Sequence, residues 1–119
     1  MKSARDPRHQ KRRQIVKELF AYSFSNQNVS EETREIIKKK DILDQKIANS
    51  APIWPIEKLN KIDLAILRLA VYELEKGSTP PKVIVDEAVE LGKEFGSDST
   101  HSFINGVLGS ILNHVTTEN

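Results

Sequence analysis

Apolar residues recur along this chain at three- and four-residue intervals, and no stretch shows the strict alternation of a half-buried strand. The pattern is helical throughout. Ile15, Val16, Leu19 and Phe20 form one stripe, which predicts a first helix from about Pro7 to Phe24. Asp6-Pro7 supplies its start: a carboxylate to cap the first free N–H groups, then a proline where no N–H is needed. The polar run SNQNVS at 25–30 is a loop. Ser30 is expected to cap a second helix with Glu31 and Glu32 in its first turn and Ile36, Leu43 and Ile47 on its stripe. Asn49-Ser50-Ala51-Pro52 breaks that helix, and Trp54-Pro55 begins a short turn with Ile56 and Leu59.

From about Lys61 to Lys76 the chain is apolar on most sides, through Ile62, Leu64, Ile66, Leu67, Leu69, Val71 and Leu74. A helix of that kind belongs at the centre of a bundle. Gly77 to Pro81 ends it and starts a fifth helix, to about Phe95, whose stripe is Ile84, Val85, Ala88, Val89, Leu91, Gly92 and Phe95. Asp86, Glu87, Glu90 and Glu94 are expected on its solvent face. Gly96 stops it, and a last helix follows with Phe103, Ile104, Val107, Leu108, Ile111, Leu112 and Val115 on one side. Gly106 and Gly109 lie inside that helix, where glycine costs roughly 1 kcal/mol against alanine; close helix–helix approach is the expected compensation. The fold class is therefore all-α, a compact bundle of about five to six helices.

Composition narrows this further. The 119 residues, 38% hydrophobic and 29% charged, suit one globular domain over 1–119. Cysteine is absent, which excludes disulfides, thiolate catalysis and cysteine-ligated zinc and fits a reducing compartment. No apolar run approaches the roughly 20 residues of a membrane span. The charged N-terminus lacks the apolar segment of a secretory signal.

Charge changes the picture more than composition does. The formal net charge is +1, but residues 1–17 carry Lys2, Arg5, Arg8, Lys11, Arg12, Arg13 and Lys17 against only Asp6. That is a basic arm of +6 on a body of −5. It fits either an anionic partner for one end of the molecule or a solvated tail that aids solubility. Arg5, Arg8 and Arg12 continue the first helix's apolar face toward the N-terminus, a register that a random tail does not need. Phe20, Tyr22 and Phe24 stand nearby, and paired cations and aromatic faces are how single-stranded nucleic acid is held. Phe20 sits at the stripe's edge, open to a core role or a base contact. Lys38 to Lys40 reads as a solvated face or an anion site, and Trp54 as a core plug or a stacking platform.

No enzyme emerges. His9, His101 and His114 lie far apart, without metal-ligand spacing, and the glycines form no phosphate-cradling loop. His101 reads as a capping histidine or a member of a binding surface. No catalytic residue, metal or cofactor is expected.

One resemblance is specific. Residues 51–74 read APIWPIEKLNKIDLAILRLAVYEL, followed by PPKVIVDEAVELGKEFG from Pro80 and HSFINGVLGSI from His101. Together these resemble the transcription antitermination protein NusB family, strongly over 51–111 and more weakly along the first helix. The resemblance implies a cytoplasmic helical bundle that binds the boxA segment of single-stranded nascent RNA together with the ribosomal protein NusE. The pair joins an antitermination complex on RNA polymerase, notably in ribosomal RNA operons, with no catalysis. It implies RNA contacts at Arg8 and Arg12 and, more loosely, at Lys2 and Arg5. Phe20 stands where the family commonly has tyrosine, and keeps the ring without the hydroxyl. Ser99 stands where the family often has an acidic residue, with Asp98 one position away, and Phe103 matches the same rim. Asp63 matches an acidic position near the NusE contact.

The stretch between the first helix and Trp54 is shorter than is usual in that family, which implies a bundle smaller by a helix. Two alternatives stand beside the RNA-binding factor. One is a protein-interaction module that holds NusE or another partner through its acidic faces and Asp63, without RNA activity of its own. The other is a detached NusB-like domain of a ribosomal RNA methyltransferase system, since similar domains occur fused to such enzymes.

Overall fold

The computed structural model describes residues 6–51 and 55–118, with side chains described as far as Asn113. Lys2, Arg5 and Trp54 lie outside the described residues, as do the side chains of His114 and Val115. The described residues form six α-helices: α1 (Pro7–Tyr22), α2 (Glu31–Lys38), α3 (Lys40–Ser50), α4 (Lys61–Lys76), α5 (Pro81–Phe95) and α6 (Thr100–Glu118). One 3₁₀ turn, Ile56–Lys58, leads into α4.

The apolar α4 is the hub. Its consecutive positions Leu64 to Leu67 are buried, as are Leu69 to Tyr72, and it contacts every other helix. The others each turn a narrower stripe inward. Ile15, Val16 and Leu19 come from α1, Ile84, Ala88 and Leu91 from α5, and Ile104, Val107, Leu108 and Ile111 from α6. Full burial of such aliphatic side chains is worth about 1.5–3 kcal/mol each, which makes this shared core the main source of stability.

Where one second helix was expected there are two. The lysine at the join, Lys39, has φ −96° and ψ 8°, and its N–H is shared between the carbonyls of Glu35 and Ile36. The break lets the two apolar sets face different ways. Thr33 and Ile36 of α2 are buried where that helix packs on α1 and α4. Leu43 and Ile47 of α3 are buried against α4 and α6. A straight helix would turn only one direction to the core. The lysines Lys38 to Lys40 remain exposed at the join.

The caps are partly as expected. Asp6 accepts the Arg8 N–H at 2.8 Å and Pro7 follows it. Ser30, however, makes no side-chain cap to its own helix. Its N–H (3.2 Å) and its hydroxyl (2.8 Å) both donate to Glu18 Oε1, and the Thr33 hydroxyl donates to the same oxygen. A carboxylate from α1 thus caps α2, at the helix end that favours negative charge. Burial alone would raise the Glu18 pKa, but hydrogen bonds from Thr33, Ser30 and Gln14 outweigh it and hold the carboxyl below its ordinary value.

The glycines of the last helix do not mediate close packing. A Cβ added at Gly106 or Gly109 would meet nothing within 4 Å. The close approaches are at Gly92 of α5, where an added Cβ would lie 3.2 Å from Ile104 Cδ1 and 3.3 Å from His101 Cα, and at Gly96, where it would collide with the Thr100 side chain. Those contacts set α5 against the start of α6. Gly106→Ala and Gly109→Ala should therefore each stabilise the protein by about 0.5–1 kcal/mol, through helix propensity and a less free unfolded chain. Urea unfolding checks this; a lowered midpoint in either variant would show that the space is not open.

Candidate nucleic-acid interface

The basic helix α1 lies across α4 and α5, and its charges divide by face. On the inner face Arg12 makes a two-pronged pair with Glu73 of α4, at 2.8 and 2.7 Å, and its Nη1 lies 3.4 Å from Glu87 of α5. Such a fork matches carboxylate geometry and resists water better than a single contact. His9 Nδ1 lies 3.0 Å from the same Glu87 oxygen, and His9 Nε2 lies 3.6 Å from Glu94. Arg13 bonds Glu94 as well. The Glu87 side chain is only 2% exposed, so it is buried where a solvent face was expected. The reason is tertiary: it points at α1, where the Arg12 guanidinium and the His9 ring supply the partners that a buried carboxylate needs.

Arg12 is drawn inward by the same carboxylates. Its side chain is 12% exposed and its guanidinium is held by Glu73 and Glu87, so it is not a free surface cation. Arg8 is the opposite case, with its side chain 83% exposed and paired to its own cap, Asp6, at 3.1 Å.

A second face of α1 carries Arg13, Lys17 and Phe20 at i, i+4 and i+7. It borders an open groove of about 780 Å³ walled by Phe20, Phe24 and Phe95, with Lys17, Asn60 and Lys61 at its edges. Phe20 is 37% exposed and Phe24 64% exposed. Their rings meet edge to face, with centroids 5.0 Å apart and planes at 76°. The Arg13 guanidinium lies 5.6 Å and Lys17 Nζ 5.9 Å from the Phe95 centroid, and Lys61 Nζ lies 5.7 Å from that of Phe24. Cations over ring faces beside apolar space form a surface suited to flat, anionic ligands.

Of the residues singled out in the sequence, Phe20 is in this groove. Ser99 is exposed in the turn before α6, and Phe103 is half-buried against the core in the first turn of that helix. The sequence put Lys17 in the basic arm and Phe95 on the fifth helix's apolar stripe, and assigned neither them nor Asn60 and Lys61 to a binding site. The spacing of Arg13, Lys17 and Phe20 could have shown the α1 part, but Asn60 and Lys61 arrive from across the loop before α4.

Asp63, in the first turn of α4, accepts the Thr100 hydroxyl at 3.0 Å, and so ties the start of α4 to the start of α6. Burial pushes its carboxyl above the ordinary aspartate value, against the pull of the Thr100 hydrogen bond. Among the described residues no group of three or more His, Asp or Glu side chains is placed to hold a metal ion. No described helix is long and apolar enough to cross a membrane.

The model of the NusB family matches residues 6–113. The transcription antitermination protein NusB of Dehalococcoides mccartyi is 49% identical over 80 residues, 66% of this chain and 56% of that protein. The chain therefore spans little more than half the length of that relative. The protein of the same name from Sulfurimonas denitrificans is 36% identical over 125 aligned positions, covering 87% of this chain and 95% of that one. Among solved structures, T. maritima NusB superposes with a TM-score of 0.77 at 27% identity, over 95% of this chain and 93% of that one. A chain in the crystal structure of a plectonemic RNA supercoil superposes with a TM-score of 0.80 at 20% identity, over 94% and 98%, a likeness of fold alone.

Two outcomes should follow from the geometry. Arg12→Ala should cost about 3–5 kcal/mol, because it takes the guanidinium from buried carboxylates, whereas Arg8→Ala at the exposed cap should leave the midpoint nearly unchanged. Denaturant midpoints compare the two, and equal midpoints would contradict the ion-pair assignment. Asp63→Asn should match or exceed the wild-type melting temperature at neutral pH. The folded-state pKa of Asp63 is raised, so the stability linked to its proton is present below the unfolded value and is lost as pH rises through the folded one. The amide keeps an acceptor for Thr100 without the charge, so its advantage should shrink as the solution is acidified. A variant less stable at pH 7 than at pH 4, relative to wild type, would refute this.

Proposed function

The chain belongs to the NusB family, and on that premise we propose that it is a cytoplasmic transcription antitermination factor acting on RNA. In this reading it binds boxA-type single-stranded RNA together with the ribosomal protein NusE, within the antitermination complex on RNA polymerase in ribosomal RNA operons. The observation that carries it is the exposed Phe20 ring beside Lys17 and Arg13 on one face of α1. A ring of that exposure offers a base a stacking surface, and Lys17, which has no carboxylate partner among the described residues, offers its phosphate one. Arg8, exposed at the helix start, adds a cation that can exchange Asp6 for a phosphate. Lys2 and Arg5 extend the charge beyond it. Ser99 and Phe103 contribute a second rim at the start of α6. Arg12 serves the interface by fixing α1 in place through Glu73 and Glu87.

Asp63 is the proposed contact for NusE. It stands half-exposed at the head of α4, and its raised pKa marks a carboxylate that gains by meeting a cation. A basic partner would supply one.

Anisotropy titration with a labelled boxA-containing RNA, with and without NusE, tests this reading. Phe20→Ala should weaken binding by about 5- to 150-fold, the worth of one stacked base. Arg8→Glu should weaken it further as salt is lowered, since phosphate contacts release counterions. The wild type should bind more tightly with NusE present. Unchanged affinity in both variants would reject this face of α1, and equal affinity for a scrambled RNA would reject boxA recognition.

A further inference from the structure

The groove has a wall that a contact at Phe20 does not use. Phe24 follows the end of α1 and is 64% exposed, the joint most exposed of the large hydrophobic side chains described. Apolar surface held in water is a cost that a ligand can remove. Its ring is met by Lys61 Nζ at 5.7 Å, from the first residue of α4. Beside Lys61, Asn60 caps α4 by accepting the Ile62 N–H at 2.8 Å through Oδ1. The amide nitrogen is thus the atom that Asn60 can turn to a ligand in the groove.

Charge decides what kind of ligand fits. Most α1 cations are already matched: Arg8 by Asp6, Lys11 by Glu32, Arg12 by Glu73, and Arg13 by Glu94. Among the described residues Lys17 and Lys61 have no carboxylate partner, and no carboxylate lines the groove. Two ammonium groups left for an anion therefore stand beside the exposed rings. Ring faces plus unmatched ammonium groups fit a nucleotide better than they fit an apolar helix, which would leave the two charges unpaired.

We propose that Phe24, Lys61 and Asn60 form a nucleobase subsite separate from Phe20. One unpaired base of a single-stranded RNA stacks on Phe24. Lys61 exchanges the ring for that nucleotide's phosphate, and the Asn60 amide donates to an acceptor on the base edge. The 76° angle between the Phe20 and Phe24 planes means that one flat base cannot stack on both. The two rings hold two different bases. This inference rests on the RNA reading above and deepens it.

An abasic scan tests it. A labelled single-stranded RNA containing boxA is prepared with each base in turn replaced by an abasic ribose, and titrated against wild type, Phe24→Ala, Phe24→Leu, Phe20→Ala and Lys61→Ala. Circular dichroism should be unchanged in all four, with melting temperatures that stay well above the titration temperature. Phe24→Ala should bind the intact RNA about 5- to 150-fold more weakly, with Phe24→Leu weakened as well because it lacks the flat face. One abasic position should be costly in wild type and nearly free in Phe24→Ala, and Phe20→Ala should silence a different position. Lys61→Ala should lower the slope of log affinity against log salt by about 0.7. If Phe24→Ala binds like wild type, or shows the wild-type abasic profile, the subsite is wrong while the RNA reading stands. If Phe24→Ala loses only NusE, the groove docks protein and the subsite is again wrong. If wild type binds no single-stranded RNA, both fall.

Discussion

The Arg12 guanidinium, gripped by Glu73 from α4 and by Glu87 from α5, fixes where the basic helix lies. Buried carboxylates are tolerated only when cations reach them, so the two glutamates and α1 need each other. The apolar stripe of Ile15, Val16 and Leu19 supplies the burial, but stripes alone would let α1 slide or rotate on α4. The fork at Arg12 sets both its rotation and its height. Everything on the outer face follows from that setting: Lys17 and Arg13 lie over Phe95, and Phe20 and Phe24 open toward Lys61.

The same arrangement redistributes the charge of the chain. A basic arm on an acidic body looks like a surface waiting for an anion. In the folded protein much of that charge is already paired, with Glu73, Glu94 and Glu32. On the outer face of α1 it is Lys17, joined by Lys61 of α4, that stands without a carboxylate beside three phenylalanine rings. A nucleic-acid surface built this way gains selectivity for unpaired bases, because stacking needs a free base face and simple attraction to phosphate does not.

The capping of α2 shows the same economy. Glu18 leaves α1 to receive the Ser30 and Thr33 donors, so the loop between the two helices is closed by a residue outside it. Asp63 and Thr100 do the corresponding work between α4 and α6. Each of these polar contacts joins a helix start to a neighbouring helix. The bundle is thereby ordered at its ends as well as through its core.

The six-helix architecture was largely legible in the chain, because hydrophobic period, caps and breakers are local. The all-round apolar pattern of α4 marked it as central, and Asp6-Pro7 and Pro81 marked two helix starts. The basic arm and Phe20 were legible too, since they share one short segment. Three features were not. The split between α2 and α3 depends on which directions their partners lie, and neither glycine nor proline marks it. Gly92 and Gly96 rather than Gly106 or Gly109 make the close contacts, because the answer depends on where α6 begins relative to α5. The roles of Arg12, Glu87 and Lys61 depend on groups far away in sequence, and a charge's environment is a property of its neighbours. Sequence alone determined the helices, their stripes and the uneven charge. Tertiary structure decided which charges are buried and which remain to meet a ligand, because pairing is a matter of distance in space.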